Sequence, residues 1–399
     1  MLSYLTAGES HGPRLTAIVD GLPAGLRVDP ADIDYQLMRR QKGYGRGGRM
    51  KIETDRVRIV GGVRHGLTLG GPVSLEIENK DWVNWTQIMD PICPTSGELD
   101  ERRRKLAFDT TRPRPGHADL AGGIKYNHHD LRNVLERASA RETAAKVAVG
   151  SLVRQLLEHF GMVFASHVIR IGPACLPGDF QRPDLETINR IAEDSRVRCL
   201  DPYTEGEMIK AIKAAGSDRD SLGGVAEVII SGVPVGLGSY AQSAHRLDGK
   251  LAGALMAIPS VKGVEIGLGF AYTSQRGSTV HDQIFYETGG PSSKKGFMRP
   301  THNAGGIEGG ISNGEPIVAR VAGKPISTLN RPLKTVDVKT KEPAEAMVER
   351  TDVCVTAPLA VVCEAVAGLV LAESFLDKFG GDNMDEIDRN YQAFLDHQY

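Results

Sequence analysis

Two long apolar stretches set the terms for any fold this chain adopts. One covers 133–160 and stops at Gly161, and the other covers 358–379 and stops at Gly380-Gly381. In the first, Val134, Val147, Val149, Leu152, Val153, Leu156 and Leu157 supply the apolar surface, while Ala138, Ala140, Ala144, Ala145 and Ala148 let a neighbour approach closely. A helix this apolar must be buried, so the pattern predicts two core helices with strands layered around them. Strands are expected at 15–19, 51–60, 73–77, 163–171, 223–230, 264–270, 316–321 and 335–338. Further helices are expected at 185–192, 205–215 and 245–258, and from Asp29-Pro30 to about Gln41, where Asp is the N-cap and Pro the first helical residue. Residues 79–130 read as mostly loop and 272–310 as an exposed excursion. No Gly-x-Gly-x-x-Gly follows a strand in a βαβ unit, which argues against a dinucleotide-binding fold. The expectation is one α+β domain over 1–399, with 382–399 as a loose tail or interface arm.

The 399 residues are 41% hydrophobic and 25% charged, with 48 basic against 50 acidic side chains. A general nucleic-acid binder is usually more basic. No apolar run is read as long enough to span a bilayer, and the N-terminus lacks a basic segment ahead of an apolar one. The expectation is a soluble cytoplasmic protein that contacts neither nucleic acid nor membrane. The scattered cysteines (93, 175, 199, 354 and 363) form no C-x-x-C pair, so buried free thiols are expected rather than a disulfide framework or metal site.

Against this neutral background, 39–51 concentrates Arg39, Arg40, Lys42, Arg46, Arg49 and Lys51 among four glycines. Cations this close repel one another, so the stretch calls for an anionic partner. Its Arg-Gly-Gly flavour also admits RNA, although that reading predicts several such units with aromatics, and one is present. Five other places have functional and plain readings side by side. His11, in Gly8-Glu9-Ser10-His11-Gly12, has room for a ligand to approach, or is a turn histidine. The Pro-stiffened loop Arg112-Pro113-Arg114-Pro115-Gly116-His117-Ala118-Asp119 fixes cations and an imidazole for a phosphate or carboxylate, or is a solvated basic turn. Arg137 and Arg141, four apart on the expected helix, share a face for an anion or for solvent. Lys324-Pro325-Ile326-Ser327-Thr328 offers charge and hydroxyls to a phosphate, or is an ordinary turn. Arg350-Thr351-Asp352 precedes the second long helix as a site or a capping cluster. Together they describe a site for small polyanions with two proton donors, His11 and His117. Walker spacing is absent, which disfavours a P-loop NTPase.

The segments GESHG at 8–12, RPGHAD at 114–119 and RASARET at 137–143, in this order and separation, resemble the chorismate synthase family over nearly the full chain. The resemblance implies a β-α-β sandwich with internal pseudo-symmetry, assembled as a homotetramer. It implies a lyase that converts 5-enolpyruvylshikimate 3-phosphate to chorismate and phosphate and requires reduced FMN. His11, His117 and Asp352 would be catalytic, and Arg40, Arg46, Arg49, Arg114 and Arg141 would bind substrate. Arg137, Ala138, Ser139, Pro259, Ser260, Gly309, Lys324, Pro325, Ile326, Ser327, Thr328 and Arg350 would bind the flavin. Arg40 and Arg46 also match positions associated with NADP(H). Ala138 stands where many members have Ser, and Pro259-Ser260 where many have Asn-Ala. On this reading Arg40, Arg46 and Arg49 face the pocket, while Arg39 and Lys51 are solvated charge. An NADPH-dependent flavin reductase and an RNA-binding protein are the alternatives.

Overall fold

The computed structural model describes residues 2–47, 54–92, 110–349 and 351–397. The elements that build the core follow in chain order: strands β1 (Ser3–Ala7) and β2 (Arg14–Asp20), helix α1 (Pro30–Gln41), and strands β3 (Val57–Gly61) and β4 (Val73–Glu78). Helices α2 (Asp119–Tyr126), α3 (Arg132–Leu135) and α4 (Thr143–His159) come next. The second half has β5 (Val163–Ile171), α5 (Leu185–Asp194), α6 (Pro202–Ser217), β6 (Gly224–Ser231), α7 (Leu247–Met256), β7 (Val261–Ile266), β8 (Ile317–Gly323), α8 (Thr356–Phe379) and α9 (Met384–Asp396).

Two antiparallel sheets enclose a helical layer. The first has the order β1-β2-β4-β3. The second has the order β7-β8-β6-β5, extended at its β5 edge by the two-residue strand Ala174–Cys175. If β5, β6, β7 and β8 are taken as counterparts of β1, β2, β3 and β4, the two orders coincide. α1 and α7 then occupy equivalent places in the chain, as do α4 and α8. The expected α+β sandwich with internal pseudo-symmetry is therefore visible in the connectivity.

Sequence alternation explains the first sheet. In β2 the buried residues are Leu15, Ala17 and Val19, and in β4 they are Val73, Leu75 and Ile77, so one face meets the helices and the other faces out. β5 and β6 read instead as nearly continuous buried runs, because α8 packs on one face of the second sheet while α5 and α6 pack near the other. At the centre α4 crosses α8 closely. A Cβ on Gly150 would sit 2.5 Å from the Ala365 carbonyl oxygen, so glycine there sets the helix separation.

The structure departs from several expectations. The stretch 133–160 is three pieces, not one helix: α3, a 3-10 turn at Ala140–Glu142, and α4. Ser139 is extended and caps the turn, accepting from Arg141 N with its side chain. Of the expected tail 382–399, the described residues 382–397 are not loose, since α9 is capped by the Asn383 side chain and buries Met384 and Ile387. Of the strand expected at 51–60, residues 51–53 lie outside the described residues and the described part begins at Val57; the strand expected from 264 begins at Val261, and β1 lies outside the expected strands. α8 is long and apolar enough to cross a membrane by length and composition, with a mean hydropathy of 2.0, contrary to the reading that no run reaches that length. It is a core helix, with 89% of its most apolar window buried inside the protein. Cys199, Cys354 and Cys363 are buried thiols, Cys175 is half-buried, and Cys93 lies outside the described residues.

Candidate active site

His11 sits in the loop between β1 and β2. Asn79, just after β4, holds that loop in shape by donating to the carbonyls of Ser10 (3.1 Å) and Gly12 (2.8 Å). The imidazole stacks on Trp85, with ring centroids 3.8 Å apart. Its Nδ1 lies 2.9 and 3.0 Å from the two carboxylate oxygens of Glu136, which also accepts from His11 N at 2.9 Å. A carboxylate can only accept, so Nδ1 carries the hydrogen and proton exchange falls to Nε2. Arg132 donates to the same carboxylate at 3.1 Å. Burial alone would raise the Glu136 pKa, but the His11 hydrogen bond, with the charges of His11 and Arg132, more than offsets this and lowers it. Glu136 follows directly on α3 and keeps helical backbone, ahead of the break at Ser139.

His117 repeats this arrangement. Its Nδ1 is 2.5 Å from Asp119 Oδ1, and Asp119 opens α2. Arg114 grips the same carboxylate through Nε (2.9 Å), Nη2 (3.1 Å) and its backbone N–H (3.0 Å). Burial opposes the charge on Asp119, yet the bonds from His117 and Arg114 hold its pKa far below the ordinary carboxylate range. Arg114 Nη1 donates to Thr328 Oγ1 at 2.8 Å. Lys324 Nζ and Ser327 Oγ both donate to the Gly116 carbonyl. Gly116 has φ +79°, and a Cβ there would meet Ser327 Oγ at 3.3 Å. The segment 324–328 therefore cradles the His117 loop. Within it the Ile326 carbonyl accepts from Ser221 Oγ at 2.8 Å, and Pro325 lies just after the end of β8.

The cations gather around the same region. Asp55 holds Arg141 at 2.6 Å and Arg40 at 3.6 Å, while Arg40 also donates to Thr143 Oγ1 (2.9 Å) and the Ala140 carbonyl (3.0 Å). Arg46 Nε lies 3.2 Å from Asp352, whose other oxygen accepts from Gly47 N. Arg137 points to β1, donating to the Thr6 and Gly8 carbonyls. It does not share a helix face with Arg141, because the extended Ser139 separates them. Ala138 is half-buried, and Ser139 Oγ lies 3.2 Å from Ser10 Oγ, next to His11. The turn Pro259-Ser260 reaches 324–328 through Lys324 N, which donates to the Ser260 carbonyl at 2.9 Å. Gly309, at φ +60°, is in a hairpin held to the opposite end of α7 by Leu247 N donating to the Gly310 carbonyl. That end lies about 15 Å from Pro259-Ser260 by the rise of a ten-residue helix. Arg49, Lys51 and Arg350 lie outside the described residues.

One member of the basic stretch is not solvated charge as expected. Arg39 is 4% exposed and makes a bidentate pair with Glu364 of α8 (2.7 and 2.9 Å) and a third bond to Glu193 (2.6 Å). It is part of the core. Arg39 and Arg40 are both buried against protein partners, which does not favour an RNA-facing loop.

The arrangement offers two imidazoles, each oriented through Nδ1 by a buried carboxylate that is itself paired with a buried arginine. Such a site can deliver or accept protons at two places while a cationic wall holds an anion. Sequence reasoning did not single out Glu136, Arg132, Asp55 or Trp85. Asp119 lay within the segment singled out at 112–119, but without a role of its own. Glu136 was out of reach, because 125 positions separate it from His11.

Comparison with known proteins agrees with these features. A family model described as chorismate synthase matches residues 2–376. The chain is 55% identical over 396 residues to a chorismate synthase of Desulforudis audaxviator (strain MP104C), covering 99% of this chain and 98% of that one. It is 50% identical over 399 residues to that of Geobacter sulfurreducens, covering 100% and 99%. A crystal structure of chorismate synthase superposes with a TM-score of 0.78 at 39% identity, covering 99% of this chain and 98% of that chain.

Proposed function

The chain belongs to the chorismate synthase family, and on that premise we propose that His11 and His117, each set by its carboxylate, move the protons of the family's reaction within a wall of arginines. The enzyme is a lyase of the shikimate pathway, forming chorismate and phosphate from 5-enolpyruvylshikimate 3-phosphate. The observation that carries the assignment of roles is the repeated histidine–carboxylate–arginine arrangement, at His11–Glu136–Arg132 and His117–Asp119–Arg114.

The substrate has two carboxylates and a phosphate, and buried negative charge must be matched. Arg40, Arg46, Arg114 and Arg141, with Arg49 from the same basic stretch, are the proposed partners. Asp55 faces both Arg40 and Arg141, which leaves a net positive charge for an incoming anion. An imidazolium with Nδ1 on a carboxylate offers its Nε2 proton to the departing phosphate.

The residues present fit reduced FMN. Lys324, Ser327 and Thr328 group cationic and hydroxyl donors beside the Gly116 backbone, as a phosphorylated ligand needs. Reduced flavin held there would supply transient electron density for loss of the phosphate. Arg137, Ala138, Ser139, Pro259, Ser260, Gly309, 324–328 and Arg350 would hold it, with Asp352 as the group that would assist its proton transfer. The same reading extends to one domain over 1–399, a soluble cytoplasmic homotetramer, and contact of Arg40 and Arg46 with NADP(H).

The test is phosphate release from the substrate under anaerobic conditions. Release is expected with reduced FMN and not with oxidised FMN or without flavin. Equal rates in all three would overturn the reading.

A further inference from the structure

Glu349, a few residues ahead of Asp352, has no place in the site as described above. Its Oε2 is 3.8 Å from Arg114 Nη1 and its Oε1 is 3.6 Å from Arg132 Nη1. Both are ion pairs, and both are too long for hydrogen bonds. Oε1 is buried and accepts no hydrogen bond from the described residues. The other carboxylates on these arginines are held more tightly. Arg114 donates to Asp119 through Nε and Nη2, and Arg132 Nη1 donates to Glu136, all within 3.1 Å. Leaving the imidazoles aside, the group has three carboxylates and two guanidiniums. Asp119 and Glu136 already balance the arginines, so Glu349 is the surplus charge and the one held without hydrogen bonds.

That surplus bears on the site's task. Arg114 is a proposed partner of the substrate, whose carboxylates and phosphate have the same sign as Glu349. A further anion beside Arg114 would meet a group that is already one charge negative, at separations where partly screened like charges repel strongly. Both arginine side chains are 6% exposed and that of Glu349 is 21% exposed, so Glu349 is the most accessible of the three.

We propose that the Glu349 carboxylate is a stand-in for an oxyanion of the substrate: it fills the gap between Arg114 and Arg132 in the free enzyme and turns away when a phosphate or carboxylate of the ligand takes that gap. The exchange keeps the local charge count fixed. The two buried guanidiniums are never left facing an empty gap, and the incoming oxyanion makes the charge-assisted hydrogen bonds that the longer glutamate contacts lack. Residues 346–349 belong to no helix or strand, so the side chain turns without unravelling an element. As product leaves, Glu349 returns to the arginines and opposes rebinding. It therefore weakens product binding and speeds release.

This inference rests on Arg114 binding the substrate, but it is read from equilibrium binding and needs no turnover. Full-length protein and its Glu349→Gln variant are titrated calorimetrically with inorganic phosphate and with chorismate, which keeps the carboxylates and lacks the phosphate. The variant should bind at least one of the two about tenfold more tightly, the scale of one partly screened charge. Tighter phosphate alone assigns the gap to the phosphate, and tighter chorismate alone assigns it to a carboxylate. A crystal structure of the unaltered protein with the tightened ligand should then show an oxyanion between Arg114 Nη1 and Arg132 Nη1, with Glu349 displaced. If Glu349 still lies between them, it is only a nearby charge and the proposal fails. Equal or weaker binding of both ligands by the variant, or no binding to either form of the protein, also overturns it. Should Glu349→Gln not fold, crystal structures of the unaltered protein with phosphate and with chorismate decide alone. Flavin-dependent phosphate release alongside any of these failures refutes this inference and leaves the proposed function standing.

Discussion

Glu136→Gln tests how His11 is oriented. The carboxylate has two oxygens and three donors: His11 Nδ1, His11 N and Arg132 Nη1. Oε1 faces the ring and Arg132, while Oε2 faces the backbone N–H and the ring. Glutamine keeps the shape but has one acceptor. Its oxygen is best placed at the Oε1 position, which turns its NH2 towards the His11 backbone N–H. A hydrogen bond to a charged partner contributes about 1.5–3 kcal/mol, and the imidazolium loses that support when the carboxylate is neutralised. Each 1.36 kcal/mol is tenfold in rate, so kcat/KM should fall by about 10- to 150-fold. The assay is anaerobic phosphate release with reduced FMN, with circular dichroism confirming the fold. Because the variant disturbs His11 without removing it, the loss should not exceed that of His11→Ala. Activity within twofold of the unaltered enzyme, or a loss larger than that of His11→Ala, would refute the reasoning.

Other outcomes follow from the same geometry. His117→Ala should lower turnover by about 10²-fold or more with folding intact, the usual contribution of a general acid, and unchanged turnover would remove it from the mechanism. Arg46→Ala should raise KM more than it lowers kcat, read from saturation curves. Glu364→Gln strips the carboxylate shared by Arg39 and Arg154 in the core and should cost about 3–5 kcal/mol in denaturant unfolding, the usual effect of breaking a buried ion pair. Glu227 is opposed by burial but held by His167, Arg182 and Arg320, which push its pKa down from 4.5 to about 2. A depressed folded value means its stabilisation is complete above about pH 4.5 and lost as pH falls towards 2. Glu227→Gln should therefore flatten the acid limb of the stability profile, and an unchanged limb would count against it.

What the sequence revealed depended on how local the signal was. The Asp29-Pro30 start of α1 was readable because capping involves only neighbouring residues, and Asp29 does accept from Ala31 N. α8 was readable as a helix because its apolar surface is nearly continuous. Its predicted partner failed at Ser139, where a side-chain cap and a contact with Ser10 outcompete helical continuation. Arg39 was misjudged because its partners, Glu193 and Glu364, are distant in sequence and its neighbours suggested a solvated cluster. The site was half legible for the same reason. Histidines and arginines stand out as residue types in Gly- and Pro-rich loops, whereas the carboxylates that orient them look like ordinary surface acids until the chain is folded.

The central helix crossing also dictates an order of events during synthesis. The strands of the first sheet all come from residues 3–78, and α4 is complete by His159, so the first half can form its own hairpins early. Its helical surface around Gly150 is nevertheless shaped for Ala365 and Gly368 of α8, which emerges from the ribosome some 200 residues later, at synthesis rates of about 5–20 residues per second. For on the order of ten seconds or more the nascent chain must carry an open apolar face whose permanent cover has not yet been made.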